Sequence, residues 1–145
     1  MGPVDRNGME VLERDECLRL LSTAHLGRVG LTSGALPLVL PVNFRLHDDE
    51  VLFRSTAGTK LDLATRGTVV AFEVDDFDPL SHAGWSVVVT GRARRLPVAE
   101  ADERLRAAPI PRWVAGGADH TVAVTTELVS GRRLVVDGAG ERELR

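Results

Sequence analysis

The run LPLVLPVNFRL, from Leu36 to Leu46, limits the fold more than any other stretch. Leu36, Leu38, Leu40, Val42, Phe44 and Leu46 fall on even positions, with Pro37, Val39, Pro41, Asn43 and Arg45 between them. A period of two belongs to a β-strand, whose successive side chains point to opposite faces, so one face here is continuously apolar. The two prolines on the other face each remove a ladder donor, which calls for an edge, a bulge or a break in pairing. HDDE then supplies turn residues, and Val51 to Ser55 return as the partner strand of a hairpin. A barrel that is split open has such places, and its backbone is open to approach from Pro41 to Asn43.

The remaining segments fit around this hairpin. Leu12 to Ala24 opens with acidic residues and sets Cys17, Leu18, Leu21 and Ala24 on one side of a helix. Leu26 to Ser33 reads as a strand, about Thr59 to Arg66 as a short helix, and TVVAFEVDDFD as a buried strand running into an acidic turn. GWSVVVTGRARRL is a strand with Trp85, Val87 and Val89 on one face. PVAEADERLRAAP is a helix punctuated by Pro97 and Pro109. His120 to Val136 forms one bent strand or two short ones. This mainly β pattern, without β-α-β alternation, predicts a six-stranded antiparallel split barrel with two or three short helices. Residues 1–136 are expected to form a single domain and 137–145 a flexible tail.

Composition narrows the function. A chain of 145 residues builds one well-buried domain. Net charge is -3, aromatic content is 4% and tyrosine is absent, so neither a basic surface nor a base-stacking platform for nucleic acid is expected. RARRL, the densest basic run, has no interleaved aromatics and reads as an exposed strand face. The single Cys17 fits a reducing compartment. No secretory signal or membrane-length apolar run is visible, and a soluble cytoplasmic protein is expected.

RSTAGTK, at the end of the hairpin, carries the candidate chemistry. Ser55, Thr56 and Thr59 offer hydroxyls, Gly58 lets backbone amides converge, Lys60 adds a point charge, and Arg54 or Arg66 adds a planar fork. With the start of a helix behind them, these groups suit a phosphate monoester. The commoner use of such residues is a capped helix with a solvated lysine. The spacing is not that of a Walker A loop.

LPVNF, VLFRSTAGTKL, VVAFEVDDFD, GWSVVVTGRA and SGRRL, in this order, resemble the pyridoxamine 5'-phosphate oxidase-like split barrels, the small bacterial branch most of all. The similarity spans roughly Leu12 to Leu134. It implies a homodimer with one FMN or related flavin in each of two clefts at the subunit interface. It implies that Arg54, Ser55, Thr56, Thr59 and Lys60 grip the cofactor phosphate and that Pro41, Val42 and Asn43 lie along the ring. Trp85 and Ser86 would contact the flavin from a neighbouring region, across the interface if need be. The implied activity is oxidoreduction of a small molecule. A deazaflavin cosubstrate or a non-catalytic barrel holding flavin or tetrapyrrole is the alternative. The C-terminal SGRRLVVDGAGERELR does not match the substrate-phosphate segment of the vitamin oxidases, so the resemblance does not extend to their substrate.

Several other groups have weaker claims. Glu73, Asp75, Asp76, Asp78 and His82 form either a hard-cation site or, more commonly, a solvated turn, and no metal is expected. The four histidines sit near element boundaries and read as surface or capping residues. Trp113 is either a plug under a long loop or a cover for a flavin. Arg28 reads as an outward charge on the barrel wall or an ion-pair partner at a dimer interface.

Overall fold

The computed structural model describes residues 2–111 and 119–134. Along the chain lie β1 (Glu10–Leu12), α1 (Arg14–Thr23), β2 (Leu26–Ser33), β3 (Leu36–His47), β4 (Glu50–Thr56), α2 (Lys60–Ala64), β5 (Val69–Phe77), β6 (Gly84–Arg95), α3 (Val98–Ala107), β7 (Asp119–Thr125) and β8 (Leu128–Leu134). The strand order is β1-β8-β6-β5-β2-β3-β4-β7, and β6 also pairs with β7. The six strands from β6 round to β7 therefore close into an antiparallel barrel, with β8 and β1 as a flap on β6. The expected six-stranded barrel is present.

Two expectations about elements change. Leu12 is not helical. It pairs with Gly131 as the last residue of β1, and Glu13, in extended conformation, separates it from α1. The closing segment is two strands, β7 and β8, each on a different part of the same edge of β6. Gly84 to Thr90 pair with β8, and Ala93 to Arg95 pair with β7. Gly91 stands at the changeover, where a Cβ would lie 1.7 Å from the Thr125 carbonyl oxygen, so only glycine admits the β7–β8 corner there.

The barrel interior follows the period-two patterns. Val29, Val42, Phe44, Val51, Phe53, Phe72, Val74, Val87, Val89, Val122 and Val124 form one core, to which α1 adds Cys17, Leu20 and Leu21. Phe44 and Phe72 meet edge to face with centroids 4.7 Å apart. Each such side chain contributes about 2–3 kcal/mol by burial. A second cluster on the outer face, Leu52, Leu96, Ala101, Ile110 and Ala123, seats α3. The hairpin turn has positive φ at Asp48 and Asp49, the mirror-image turn that matches strand twist.

Candidate functional site

The barrel splits where β3 and β4 part. Their pairing begins at Phe44 opposite Phe53 and runs to His47 opposite Glu50. On the other side of Phe44, β3 stays with β2 from Leu36 to Asn43, while β4 stays with β7 as far as Thr56 opposite Asp119. Extending the register would set Asn43 opposite Arg54 and Pro41 opposite Thr56, but no ladder joins them. The Phe44 N–H donates to the His25 carbonyl on the β2 side. Strand alternation then turns the backbone polar groups of Val39, Pro41 and Asn43 toward the opening. Pro37 and Pro41 lack an N–H only on that unpaired side, which is why the strand tolerates them. Helix α2 packs against both β2 and β4 at the opening.

Asp62 of α2 holds this end of the barrel together. Ser55 on β4, Arg95 on β6 and His120 on β7 all face the interior, in phase with Phe53, Ala93 and Val122. All three converge on its carboxylate. Ser55 Oγ donates at 3.0 Å, Arg95 Nη2 at 3.1 Å and the Gly58 N–H at 3.0 Å, while His120 Nδ1 lies 2.6 Å away. The carboxylate is almost fully buried. Burial alone would raise its pKa, but the Gly58 N–H, His120 and Ser55 outweigh that and hold it down at about 2. Thr59 caps α2 by accepting from the Asp62 N–H, and Gly58 has φ +82, which lets the loop turn.

The predicted phosphate loop is thereby divided. Ser55 is buried and committed to Asp62. Thr56, Thr59 and Lys60 are exposed on the turn that Asp62 braces. Arg54 faces the opposite side of β4 from Ser55 and donates to the Ile110 carbonyl at 2.7 Å. Lys60 and Arg66, on the same segment, and Arg95 give three cations to one buried carboxylate, with Arg66 4.0 Å from it. The loop thus carries an excess of positive charge on a chain of net charge -3.

Pro41 and Asn43 project outward beside the opening, whereas Val42 is buried inside. Trp85 and Ser86 lie elsewhere. They begin β6, at the opposite end of the strand from Arg95 and the Asp62 cluster. Within one chain the loop and the split adjoin, and Trp85 and Ser86 do not join them.

Sequence reasoning missed Asp62, Arg95 and His120 as partners. Thr59-x-x-Asp62 has capping-box spacing, a signal for the turn but not for its distant partners. His120 is not a surface or capping residue but part of the interior cluster. The arginines of RARRL are each engaged: Arg92 with the Gly67 carbonyl, Arg94 with Glu50 and Glu100, Arg95 with Asp62. In the acidic turn Asp78 accepts from the Leu80 N–H and from Ser81, an Asx turn. Among the described residues no group of three His, Cys, Asp or Glu is gathered to hold a metal, and no helix is long and apolar enough to cross a membrane. Trp113 and the tail 137–145 lie outside the described residues.

The outer face of β3-β2-β5-β6-β8 carries one row of small and apolar residues. Val39, Gly30, Ala71, Thr90 and Leu128 stand side by side in register, with Val39 71% and Leu128 67% exposed. The next row carries Pro41, Arg28, Glu73 and Val88. Arg28 is an outward wall residue paired within its own chain, 3.5 Å from Glu73 and 3.7 Å from Asp75. Burial and the neighbouring Asp75 carboxylate push Glu73 up to about 7.

The sequence model of the family described as pyridoxamine 5'-phosphate oxidase matches residues 13–133. The uncharacterized protein Rv0080 of Mycobacterium tuberculosis is 42% identical over 131 residues, covering 87% of this chain and 86% of its own. The FAD binding protein from Mycobacterium smegmatis superposes with TM-score 0.75 at 35% identity, over 86% of this chain and 98% of that one. An FAD-binding protein of Mesorhizobium loti shares the fold, with TM-score 0.74 at 24% identity over 87% of this chain and 98% of its own. The chain belongs to the pyridoxamine 5'-phosphate oxidase-like family of split barrels.

Proposed function

We propose that the protein is a cytoplasmic, homodimeric flavin-dependent oxidoreductase acting on a small molecule. A riboflavin 5'-phosphate unit, FMN in its simplest form, occupies each of two clefts shared between subunits. The observation that carries this reading is the meeting of the cationic, hydroxyl-bearing loop with the unpaired edge of β3 at the split. Thr56, Thr59 and Lys60 suit the phosphate, and the excess positive charge of the segment favours an anion. The β3 edge offers the Asn43 N–H and the Pro41 and Val39 carbonyls, matching the donors and acceptors of a flavin's pyrimidine rim. The FAD-binding relative at 35% identity points the same way.

In this reading a second subunit completes each cleft. Trp85 and Ser86 sit at the end of β6 remote from Arg95 and the Asp62 cluster, so in this reading they meet the flavin held at the partner's loop. The row with exposed Val39 and Leu128 provides an apolar surface on which a second copy packs. A bound flavin supplies the hydride and electron chemistry. The protein's part is to fix the phosphate with Lys60 and the two threonines, hold the loop rigid through Asp62, align the ring along Pro41 to Asn43, and exclude water with the partner's surface.

Lys60→Ala tests the anchor. One charge-assisted hydrogen bond is worth ~1.5–3 kcal/mol, so FMN affinity should fall roughly 10–100-fold with the melting temperature unchanged. Unaltered FMN affinity refutes the assignment. Titrating a deazaflavin alongside FMN separates the two cofactors. Anaerobic bleaching of bound flavin by NAD(P)H, reversed by an added acceptor, distinguishes an oxidoreductase from a barrel that only stores flavin or tetrapyrrole.

A further inference from the structure

The function above makes no use of the charges on the outer wall. Glu73 and Asp75 stand two residues apart on the same outward face of β5, and Glu73 adjoins the row that holds Ala71. Arg28 on β2 serves both, at 3.5 Å and 3.7 Å. Two carboxylates thus share one guanidinium, and the cluster carries a surplus negative charge whenever both are ionised. Among the described residues, Asp75 and Arg28 are the charged groups that act on Glu73. Strand β6 turns Val88 and Ser86 toward the pair, and β3 sets Pro41 beside Arg28. Arg132, opposite Ser86 on β8, is held by Asp5 at 3.0 Å. The wall around the cluster is apolar, with Leu26, Val39, Val69, Val88 and Leu128 all exposed. We infer that the second copy packs across this face and closes over the Glu73–Asp75 pair, so that assembly takes up protons and the shared clefts come apart as pH rises.

The inference rests on the two-subunit reading and adds its regulation. A two-fold interface presents the same patch from both sides, so the partner brings a second cluster with the same surplus charge. Packing strips water from the carboxylates and brings like charges nearer, and both effects favour the protonated form. In the single chain, burial and the hydrogen-bonded Asp75 already push Glu73 up to about 7. Assembly raises it further, so association is complete below the single-chain value and weakens as pH climbs through it. With a proton kept on each chain of the dimer, the dissociation constant rises about 100-fold from pH 6 to pH 8.

The test is sedimentation equilibrium of the full chain at pH 6, 7 and 8, with and without saturating FMN. The wild-type dimer should weaken by about 100-fold across this range. Glu73→Gln keeps a hydrogen-bonding partner for Asp75 but carries no charge. It should match wild type at pH 6, hold that affinity at pH 8, and there dimerise about 100-fold more tightly than wild type. Asp75→Asn should flatten the profile in the same way. Leu128→Glu, at a position 67% exposed, puts a charge on the face and should give a folded monomer at pH 6. The FMN phosphate also titrates near pH 6, but equally in wild type and Glu73→Gln, so their difference reads the pair alone. A dissociation constant that does not rise with pH, a Glu73→Gln profile that follows wild type, or a Leu128→Glu dimer as tight as wild type overturns the inference. Each of these leaves the two-subunit flavin reading intact. A monomer at every pH, with and without FMN, overturns both.

Discussion

Replacing Asp62 by asparagine removes the charge on which Ser55, Arg95 and His120 converge while keeping the shape of the side chain. Removing one partner of a buried ion pair costs about 3–5 kcal/mol when the other is stranded without water. Arg95 and His120 are 31% and 28% exposed, so water reaches them and the cost falls below that range, to about 2–3 kcal/mol. The titration gives a second route. A carboxylate lowered from 3.8 to about 2 contributes ~2 kcal/mol at neutral pH. With a urea dependence of ~2 kcal/mol per molar, the unfolding midpoint at pH 6 should drop by about 1 M. The folded pKa lies below the unfolded one, so this stability is complete above the unfolded value and is lost as pH falls toward 2. Wild type and Asp62→Asn should therefore converge near pH 2 in urea titrations followed by tryptophan fluorescence. A gap that stays constant from pH 6 to pH 2, or a midpoint shift within error at pH 6, refutes the role of Asp62 in holding this end of the barrel together.

Glu73 should act in the opposite sense: its folded pKa of about 7 exceeds the unfolded carboxylate value of 4.5, so folding takes up a proton between them and stability declines as pH rises from 4.5 to 7. Glu73→Gln should flatten that decline in thermal melts, and an unchanged pH profile contradicts the assignment. Gly91→Ala drives a methyl into the Thr125 carbonyl and should cost about 3 kcal/mol or more, measured by urea unfolding, because β6 must shift away from the β7–β8 corner.

The barrel was legible where local pattern and burial agree. The alternation from Leu36 to Leu46 marked β3, its prolines marked the unpaired edge, and HDDE marked the turn. Leu12 was misjudged because it serves β1 through a partner at Gly131, a pairing invisible to a local window. The loop residues were visible as a group, but their division was not. Whether Arg54 and Ser55 cooperate depends on strand phase at the point where the ladder ends, and it sets them on opposite faces of β4. Asp62 looked like any acidic residue in a first helical turn. Its meaning comes from Arg95 and His120, brought to it only when β6 and β7 close the barrel. Arg28 offered two readings that only its two in-chain carboxylates separate.

The central claim is that one flavin is held by groups from two copies of the chain. Sedimentation velocity with detection at both protein and flavin absorption tests it most directly, using protein saturated with FMN. The account predicts that all bound flavin travels with a species of twice the 15.7 kDa chain mass, one flavin per chain, and leaves that boundary as dilution gives monomer. Flavin that travels with the monomer at full occupancy, or that does not sediment with the protein at all, contradicts it.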